Sequence, residues 1–203
     1  MFYKRHICPY CGDKIKGEIA CEICCKILKN LINRKIGRTK NCFYIAAPFV
    51  YDNVARDAVL RFKFEKKTEY CKSFSYFMAS CKIDFFDAVV CVPTFGKEFN
   101  SSFELAKVVS ERIKTKFYKD AVIKIRETKH QHNCDFKERL TNLKNAFKAD
   151  GKKVFDKNIL ICDDIITTKT TIEEMAFVLK EAGARKVGAV SFVVSSMFAN
   201  GEI

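Results

Sequence analysis

The sequence lacks any apolar run long enough to cross a membrane. Its longest apolar stretches, residues 88–93 and 187–194, have the length of strands, whereas a membrane helix needs about 20 apolar residues. Residues 1–6 lead directly into a cysteine cluster and contain no apolar segment of the kind that a secretory signal requires. We therefore expect no membrane-spanning segment and a cytoplasmic location.

The sequence is also short of acidic residues and contains no internal repeat or low-complexity tract. It has 24 Asp and Glu against 37 Lys and Arg, which gives a net charge of +13. Such a surplus favours polyanions, namely nucleic acid, an anionic membrane surface or phosphorylated small molecules. Charge alone does not name a partner, because lysine-rich proteomes produce basic proteins that have none. With 203 residues, the chain can form one full-sized core and a small appendage.

Cysteine, in contrast, is abundant, with eleven residues, and the first of them are regularly spaced. Two Cys-x2-Cys pairs, Cys8 with Cys11 and Cys21 with Cys24, are separated by nine residues. Four thiolates satisfy the tetrahedral preference of zinc and leave no open position, so we predict one structural Zn²⁺. The spacing leaves an iron–sulfur cluster open as the alternative. Cys25 competes with Cys24 as a ligand, although the spacing favours Cys24.

Strand-sized apolar runs and amphipathic helical segments alternate through the rest of the chain. Strands are predicted at residues 43–51, 88–93, 121–125, 159–162 and 186–195, and helices between them. Continuous apolar strands that alternate with helices indicate βαβ units. The expected fold class is therefore α/β with a mainly parallel sheet.

The chain divides near residues 37–40. We predict a small zinc-binding module in residues 1–40 and a larger α/β domain in residues 41–203. Because ligand assembly and folding are coupled in small metal sites, we expect loss of a ligand to unfold the residues before Gly37. The larger domain is expected to stay largely intact.

Residues 163–171 are the most informative segment, since two aspartates and four threonines follow a buried strand there. Free N–H groups at the start of a helix, together with threonine hydroxyls, form a cradle for phosphate. The two carboxylates can accept hydrogen bonds from ribose hydroxyls or help to hold Mg²⁺. We predict a sugar-phosphate site, because ligands of parallel sheets bind at the carboxyl ends of the strands. The alternative is a capped helix behind a solvated acidic turn.

This segment resembles the phosphoribosyl pyrophosphate (PRPP) binding motif of type I phosphoribosyltransferases, and the whole chain resembles the ComF family of competence proteins. The shared features follow one another in the expected order along nearly all 203 residues. They are the two cysteine pairs, Tyr51, Arg56, Lys63-Phe64, Val92-Pro93, Phe99-Asn100, Arg126, Thr128, Gln131, Arg139, Asn142 and Gly183-Ala184. The resemblance implies a parallel-sheet domain of the type I phosphoribosyltransferase kind, preceded by the zinc-binding module.

The resemblance also implies how the motif binds its ligand. Asp163 and Asp164 would contact the ribose 2′ and 3′ hydroxyls of PRPP or of a ribose-5-phosphate nucleotide, and Mg²⁺ would accompany PRPP. Residues 126–142 would form a mobile hood, with Gln131 and Arg139 as its ligand contacts. The 5′-phosphate would be surrounded by Thr167, Thr168, Lys169, Thr170 and Thr171.

Two positions depart from the family pattern. Lys169 stands where family members usually have glycine, and it either adds charge to the phosphate site or obstructs it. Lys97 is the one basic residue between Val92-Pro93 and Phe99-Asn100, where the family carries several arginines. Pyrophosphate binding is expected to be weaker for that reason.

A run of six basic residues without an acid lies between residues 26 and 40. Such a run is a solvated helix face in most proteins, but beside a zinc module it is also a candidate contact to nucleic-acid phosphates. We predict that single-stranded DNA binds there with little sequence preference. The six residues are Lys26, Lys29, Arg34, Lys35, Arg38 and Lys40.

Three functions are compatible with these features. The first, which follows from the resemblance, is a competence protein that handles incoming single-stranded DNA and binds a phosphoribosyl ligand, with other competence or recombination proteins as further partners. The second is an active phosphoribosyltransferase that uses PRPP and an unidentified acceptor. The third is a binding module with a degenerate pocket and a zinc module that docks a partner.

Overall fold

The computed structural model describes residues 6–17, 19–32, 35–83, 85–96, 99–128 and 143–196. Among the predicted site residues, Arg34, Gln131 and Arg139 lie outside the described residues, as does the side chain of Lys35. The helices are α1 (Glu22–Leu31), α2 (Asn53–Phe64), α3 (Cys71–Met78), α4 (Ser101–Arg112), α5 (Gly151–Val154) and α6 (Thr170–Glu181), and short 3-10 helices, Thr68–Tyr70 and Ala79–Cys81, flank α3. The strands are β1 (His6–Ile7), β2 (Lys14–Ile15), β3 (Lys35–Gly37), β4 (Tyr44–Ala47), β5 (Phe49–Val50), β6 (Ala88–Cys91), β7 (Lys116–Phe117), β8 (Val122–Lys124), β9 (Phe147–Ala149), β10 (Asn158–Ile166) and β11 (Lys186–Val194).

A seven-stranded sheet organises most of the described chain. Six strands lie in the order β3-β4-β11-β10-β6-β7, and β5 pairs with the last residues of β11. Every pairing is parallel except that of β3, which runs antiparallel to β4 at the edge. The prediction of an α/β fold with a mainly parallel sheet is therefore confirmed.

Each face of the sheet is covered by helices, as the apolar runs of the central strands require. Leu160 and Cys162 pack in one core with α2, α3 and α4. The alternate residues Ile159 and Ile161 pack in a second core against α6. Since successive side chains of a strand point to opposite faces, the unbroken burial of residues 159–162 places β10 between two layers of helices.

The N-terminal module shares the first of these cores. Tyr10 and Leu28 are buried in the same cluster as α2 and α3, and the Tyr10 hydroxyl lies 2.7 Å from the Ser73 hydroxyl. From α2, Arg61 Nη2 donates to the carbonyl oxygens of Pro9 at 2.7 Å and Tyr10 at 2.9 Å. Loss of the module would therefore remove contacts to α2 and α3, and the expectation that the larger domain stays largely intact remains a prediction.

Three elements differ locally from the sequence prediction. Residues 121–125 do contain a strand, β8, but it pairs antiparallel with β9 in a separate hairpin rather than in the parallel sheet. The apolar pattern predicts a helix over residues 98–115, but α4 begins at Ser101, because the side chain of Asn100 accepts a hydrogen bond from the Phe103 N–H at 3.0 Å and caps it. Strand β10 extends to Ile166, so the two aspartates lie within the strand.

No helix in the described part of the chain is both long enough and apolar enough to cross a membrane.

Candidate ligand-binding site and metal centre

A cavity of about 550 Å³ opens at the carboxyl edge of the parallel sheet. It lies where β5, β6 and β10 end and where α4 and α6 begin. Among the predicted ligand contacts, five line it and two neighbours in the same turn, Lys169 and Thr170, do not. The five are Asp163, Asp164, Thr167, Thr168 and Thr171.

Asp164 is the buried member of the acid pair. Its Oδ1 lies 2.9 Å from the ammonium of Lys63, which comes from α2, and its Oδ2 accepts a hydrogen bond from the Ser101 hydroxyl. Although burial lowers the pKa of Lys63, the charges of Asp164 and Asp163 outweigh that effect and raise this pKa above its ordinary value. Lys63 therefore stays protonated and balances the Asp164 carboxylate.

Asp163 is only half buried. Its Oδ1 accepts hydrogen bonds from the Ser102 hydroxyl at 2.5 Å and from the Asp164 N–H at 2.9 Å. Burial, and then the negative charge of Asp164, raise the pKa of Asp163 to about 7, against the lowering effects of Lys63 and Ser102. Near neutral pH this carboxyl group therefore exchanges between an acceptor and a hydrogen-bond donor.

The threonine turn joins β10 to α6 beside the acid pair. Ser195, at the end of β11, fixes the turn, because its hydroxyl donates to the Thr167 carbonyl at 2.7 Å and its N–H to the Ile166 carbonyl at 2.9 Å. Lys169 occupies the N-cap position of α6 and provides no side-chain cap. The first turn of this 12-residue helix reaches the cavity through Thr171 and Ile172, and the free N–H groups of such a turn, together with threonine hydroxyls, suit an anion.

A β-hairpin lies at the base of the predicted hood. Strands β8 and β9 bring the ends of the intervening segment together, and Arg126 Nη2 donates to the Lys144 carbonyl at 2.7 Å. Lys124 and Thr128 line the cavity from this hairpin. The predicted hood contacts Gln131 and Arg139 lie outside the described residues, so their role stays a prediction.

Three residues of this site were not predicted as ligand-site residues from the sequence, namely Lys63, Ser101 and Ser102. Lys63 belongs to the Lys63-Phe64 pair on which the family resemblance partly rests. Its contact with Asp164 could not be predicted, because the two residues are far apart along the chain. The serines open α4 after the cap residue Asn100. A polar helix start after a second buried strand was a signal for them, since parallel strands end at the same edge.

The four predicted zinc ligands lie together in the N-terminal module. The Sγ atoms of Cys8, Cys11, Cys21 and Cys24 all lie within 4.8 Å of one another, and the Cys11 and Cys21 sulfurs are 3.7 Å apart. Zn–S bonds of about 2.3 Å in a tetrahedron place sulfurs about 3.8 Å apart. Cys25 is not part of the group. The arrangement fits a structural zinc ion that these four thiolates would hold.

We expect purified protein to contain one zinc ion per chain. Cys24→Ser should lose the metal, since one of four thiolates is removed, whereas Cys25→Ser, at the adjacent position, should retain it. Elemental analysis of the three proteins provides the measurement. Iron together with a brown colour would replace zinc by a cluster, and equal metal content in both variants would contradict the assignment of Cys24.

The predicted basic run is exposed wherever the structure describes its side chains. Lys26 and Lys29 lie on α1, and Arg38 and Lys40 flank or occupy the turn between β3 and β4. Arg34 is outside the described residues. The exposed cations are compatible both with a solvated surface and with a phosphate contact, so DNA binding by this run stays a prediction.

Comparison with known proteins identifies a family and several relatives of this chain. Residues 84–199 match the family model described as phosphoribosyl transferase domain. The DNA utilization protein YhgH of Escherichia coli (strain K12) is 33% identical over 106 residues, which are 50% of this chain and 46% of that protein. Competence protein F of Haemophilus influenzae is 27% identical over 108 residues, 50% of this chain and 47% of that protein. The chain thus spans about half the length of the curated relatives it matches, and the resemblance to competence proteins is confirmed.

Among solved structures, adenine phosphoribosyltransferase from Thermoanaerobacter pseudethanolicus aligns with a TM-score of 0.44 and 14% sequence identity. The alignment covers 84% of this chain and 99% of the enzyme. At this level of similarity the comparison adds no detail about the ligand, which has to be inferred from the site itself.

Proposed function

The chain belongs to the phosphoribosyl transferase domain family, and on this premise we propose that it binds PRPP or a ribose-5-phosphate nucleotide at the carboxyl edge of its sheet. We further propose a role in competence, in which the protein handles single-stranded DNA in the cytoplasm. The first proposal rests chiefly on one observation: the acid pair and the threonine turn share a single cavity.

The cavity contains groups for each part of such a ligand. The N–H groups at the start of α6 and the hydroxyls of Thr167, Thr168 and Thr171 would bind the 5′-phosphate. Asp163, which is half buried, would accept hydrogen bonds from the ribose hydroxyls. Asp164 would act mainly as the buried anchor of Lys63, whose charge limits repulsion between the acid pair and the phosphates. Mg²⁺ would accompany the pyrophosphate of PRPP.

We expect PRPP with Mg²⁺ to bind with an affinity that rises with pH through about 7. The pKa of Asp163 is raised to about 7, and only its ionised form accepts hydrogen bonds with both oxygens. Calorimetry at pH 6 and pH 8 should show tighter binding at the higher pH. Asp163→Asn should bind more weakly and lose the part of the pH dependence that the protein contributes.

A matched control is Asp120→Asn, which removes an exposed carboxylate paired with Lys153 at 2.8 Å. It should bind PRPP like the wild-type protein. Equal affinity of Asp163→Asn and wild type would show that this carboxylate does not hold the ribose. No binding to any of the three proteins would favour the degenerate-pocket function.

An active phosphoribosyltransferase is the second candidate function, and two exposed aromatic residues favour it. Phe64 and Phe95 line the same cavity and are 78% and 45% exposed, so they offer apolar walls against which a flat acceptor can stack. Release of pyrophosphate from PRPP in the presence of a nucleobase panel would establish transfer. Dependence of that release on Phe64 would place the acceptor at this wall.

The proposed DNA role rests on the relatives and on charge. Proteins named DNA utilization protein and competence protein F match half of this chain, and the net charge of +13 favours a polyanion. Lys26, Lys29, Arg38 and Lys40 supply exposed cations, and other competence or recombination proteins are proposed as further partners. Binding of a labelled single strand, with an affinity that falls steeply with salt, tests this role.

A further inference from the structure

A cluster of aromatic side chains lies at the amino edge of the parallel sheet, where β4, β6 and β11 begin. We name Phe43, Tyr44, Phe85 and Phe86 the aromatic edge. Their ring centroids form a continuous set, with Phe43 6.2 Å from Phe85 and 6.1 Å from Phe86, and Tyr44 5.9 Å from Phe85. Two of the four rings, those of Phe43 and Phe85, remain 44% and 47% exposed.

The two exposed rings stand on a buried support. Phe86 is 4% exposed and lies directly over Gly188 of β11, where any side chain would collide with its ring. Phe85 stacks on Phe86 with centroids 4.3 Å apart and planes inclined by 28°. One face of the Phe85 ring is therefore packed against Phe86, while 47% of the residue remains exposed to solvent. Such a fixed ring can accept a stacking partner without ordering a flexible side chain.

Basic residues lie beside the aromatic edge. The Lys186 ammonium lies 5.6 Å from the centre of the Phe43 ring. Asp87 and Asp156 are both paired with Arg185, at 3.5 Å and 3.7 Å, and Glu173 accepts hydrogen bonds from Asn41; Asp84 lies outside the described residues. The segments that lead into β4, β6 and β11 contain five exposed basic residues, namely Arg38, Lys40, Lys82, Arg185 and Lys186.

We propose that the aromatic edge is a stacking platform for the bases of single-stranded nucleic acid, with the neighbouring lysines and arginines on its phosphates. Stacking on aromatic rings combined with basic side chains along the backbone is how single strands are bound without sequence preference. This inference rests on the proposed DNA role and gives that role a location. It also extends the predicted DNA contact from the basic run to the aromatic edge and to Lys82, Arg185 and Lys186.

The location has a consequence for the two ligands. Strands β10 and β11 separate the aromatic edge, at the start of the parallel strands, from the cavity at their ends. From Phe86 to Val92, which lines the cavity, six residue steps along β6 and its flanks span about 20 Å at about 3.3 Å per residue. DNA and PRPP would therefore occupy opposite edges and would not compete.

The test is fluorescence anisotropy of a labelled 20-nucleotide oligothymidine titrated with the full chain at several salt concentrations. Phe43→Leu and Phe85→Leu keep an apolar side chain but lose the aromatic face, and each should weaken binding about tenfold without changing the salt slope. Lys186→Gln combined with Arg38→Gln should instead flatten the slope by about 0.7 per cation that meets a phosphate. Phe177→Leu is the matched control, since Phe177 is 42% exposed on α6, and it should bind like the wild type.

The outcomes separate this inference from the function on which it rests. Wild-type protein that does not bind the oligonucleotide would overturn both. Wild-type binding that is unchanged in Phe43→Leu and Phe85→Leu would overturn the platform and leave the DNA role to the basic run. Competition by saturating PRPP would likewise place the strand at the cavity. Loss of self-association in the leucine variants, measured by light scattering, with unchanged DNA affinity would assign the aromatic edge to a second copy of the chain.

Discussion

Replacing Lys63 with methionine is expected to destabilise the fold. The substitution removes the ammonium that lies 2.9 Å from Asp164 Oδ1 and leaves a carboxylate whose side chain is 2% exposed. Breaking a fully buried pair costs roughly 3–5 kcal/mol, and because 36% of the Lys63 side chain is exposed, we expect the free energy of unfolding to fall by about 2 kcal/mol. Chemical denaturation with circular dichroism gives this value.

Two further variants decide whether the buried charge causes the loss. Lys67→Met removes a surface lysine that lies 4.0 Å from Glu65, and it should change the free energy of unfolding by less than about 1 kcal/mol. Adding Asp164→Asn to Lys63→Met removes the uncompensated carboxylate and should restore part of the loss. A double variant less stable than either single variant would contradict the role assigned to this ion pair.

The same substitution should weaken ligand binding. Without Lys63, the acid pair presents more negative charge to the phosphates of PRPP, and we expect its dissociation constant to rise about tenfold or more, which corresponds to about 1.4 kcal/mol. Calorimetry under conditions in which the variant is folded measures the change. Unchanged affinity would show that Lys63 stabilises the fold without positioning the site.

Removing the zinc is expected to loosen the larger domain as well as the N-terminal module. Tyr10 packs edge-on against Phe77 of α3, with ring centroids 6.3 Å apart, and Arg61 of α2 donates to two carbonyls between the first pair of cysteines. Because metal binding and folding of such modules are coupled, these contacts should be lost with the ion. Hydrogen exchange before and after chelation should show faster exchange in α2 and α3.

Helix α6 provides the internal control for this experiment, because it packs in the other core and should keep its protection. The Cys25→Ser protein, which retains the four proposed ligands, should behave like the wild type until chelator is added. Unchanged exchange in α2 and α3 while the module unfolds would show that the module is an independent appendage, as the sequence alone predicted. Faster exchange in all three helices would indicate global rather than local destabilisation.

The elements of this fold that are local in sequence were predictable. Apolar runs identified β6, β10 and β11. Gly183 follows the C-cap of α6 with a φ of 92°, a conformation that favours glycine, so it is a local stop signal for that helix. The cysteine spacing identified a cluster that the structure brings together. In these cases one short segment contains the whole signal.

What the sequence did not reveal depends on pairing between distant segments. Lys63 and Asp164 are 101 residues apart in number, and no local pattern joins them; their contact depends on how α2 crosses the sheet. Strand β7 has two residues and owes its place to parallel pairing with β6. Strand β8 has the composition of a sheet strand, but its partner β9 lies beyond the hood, so a propensity argument could not assign its sheet.

A crystal structure of the protein with PRPP and Mg²⁺ tests the central claim most directly. The account predicts the 5′-phosphate at the start of α6 among Thr167, Thr168 and Thr171, the ribose hydroxyls at Asp163, and Lys63 still paired with Asp164. Density for PRPP at another surface, with only solvent in the cavity at the carboxyl edge, would contradict this account.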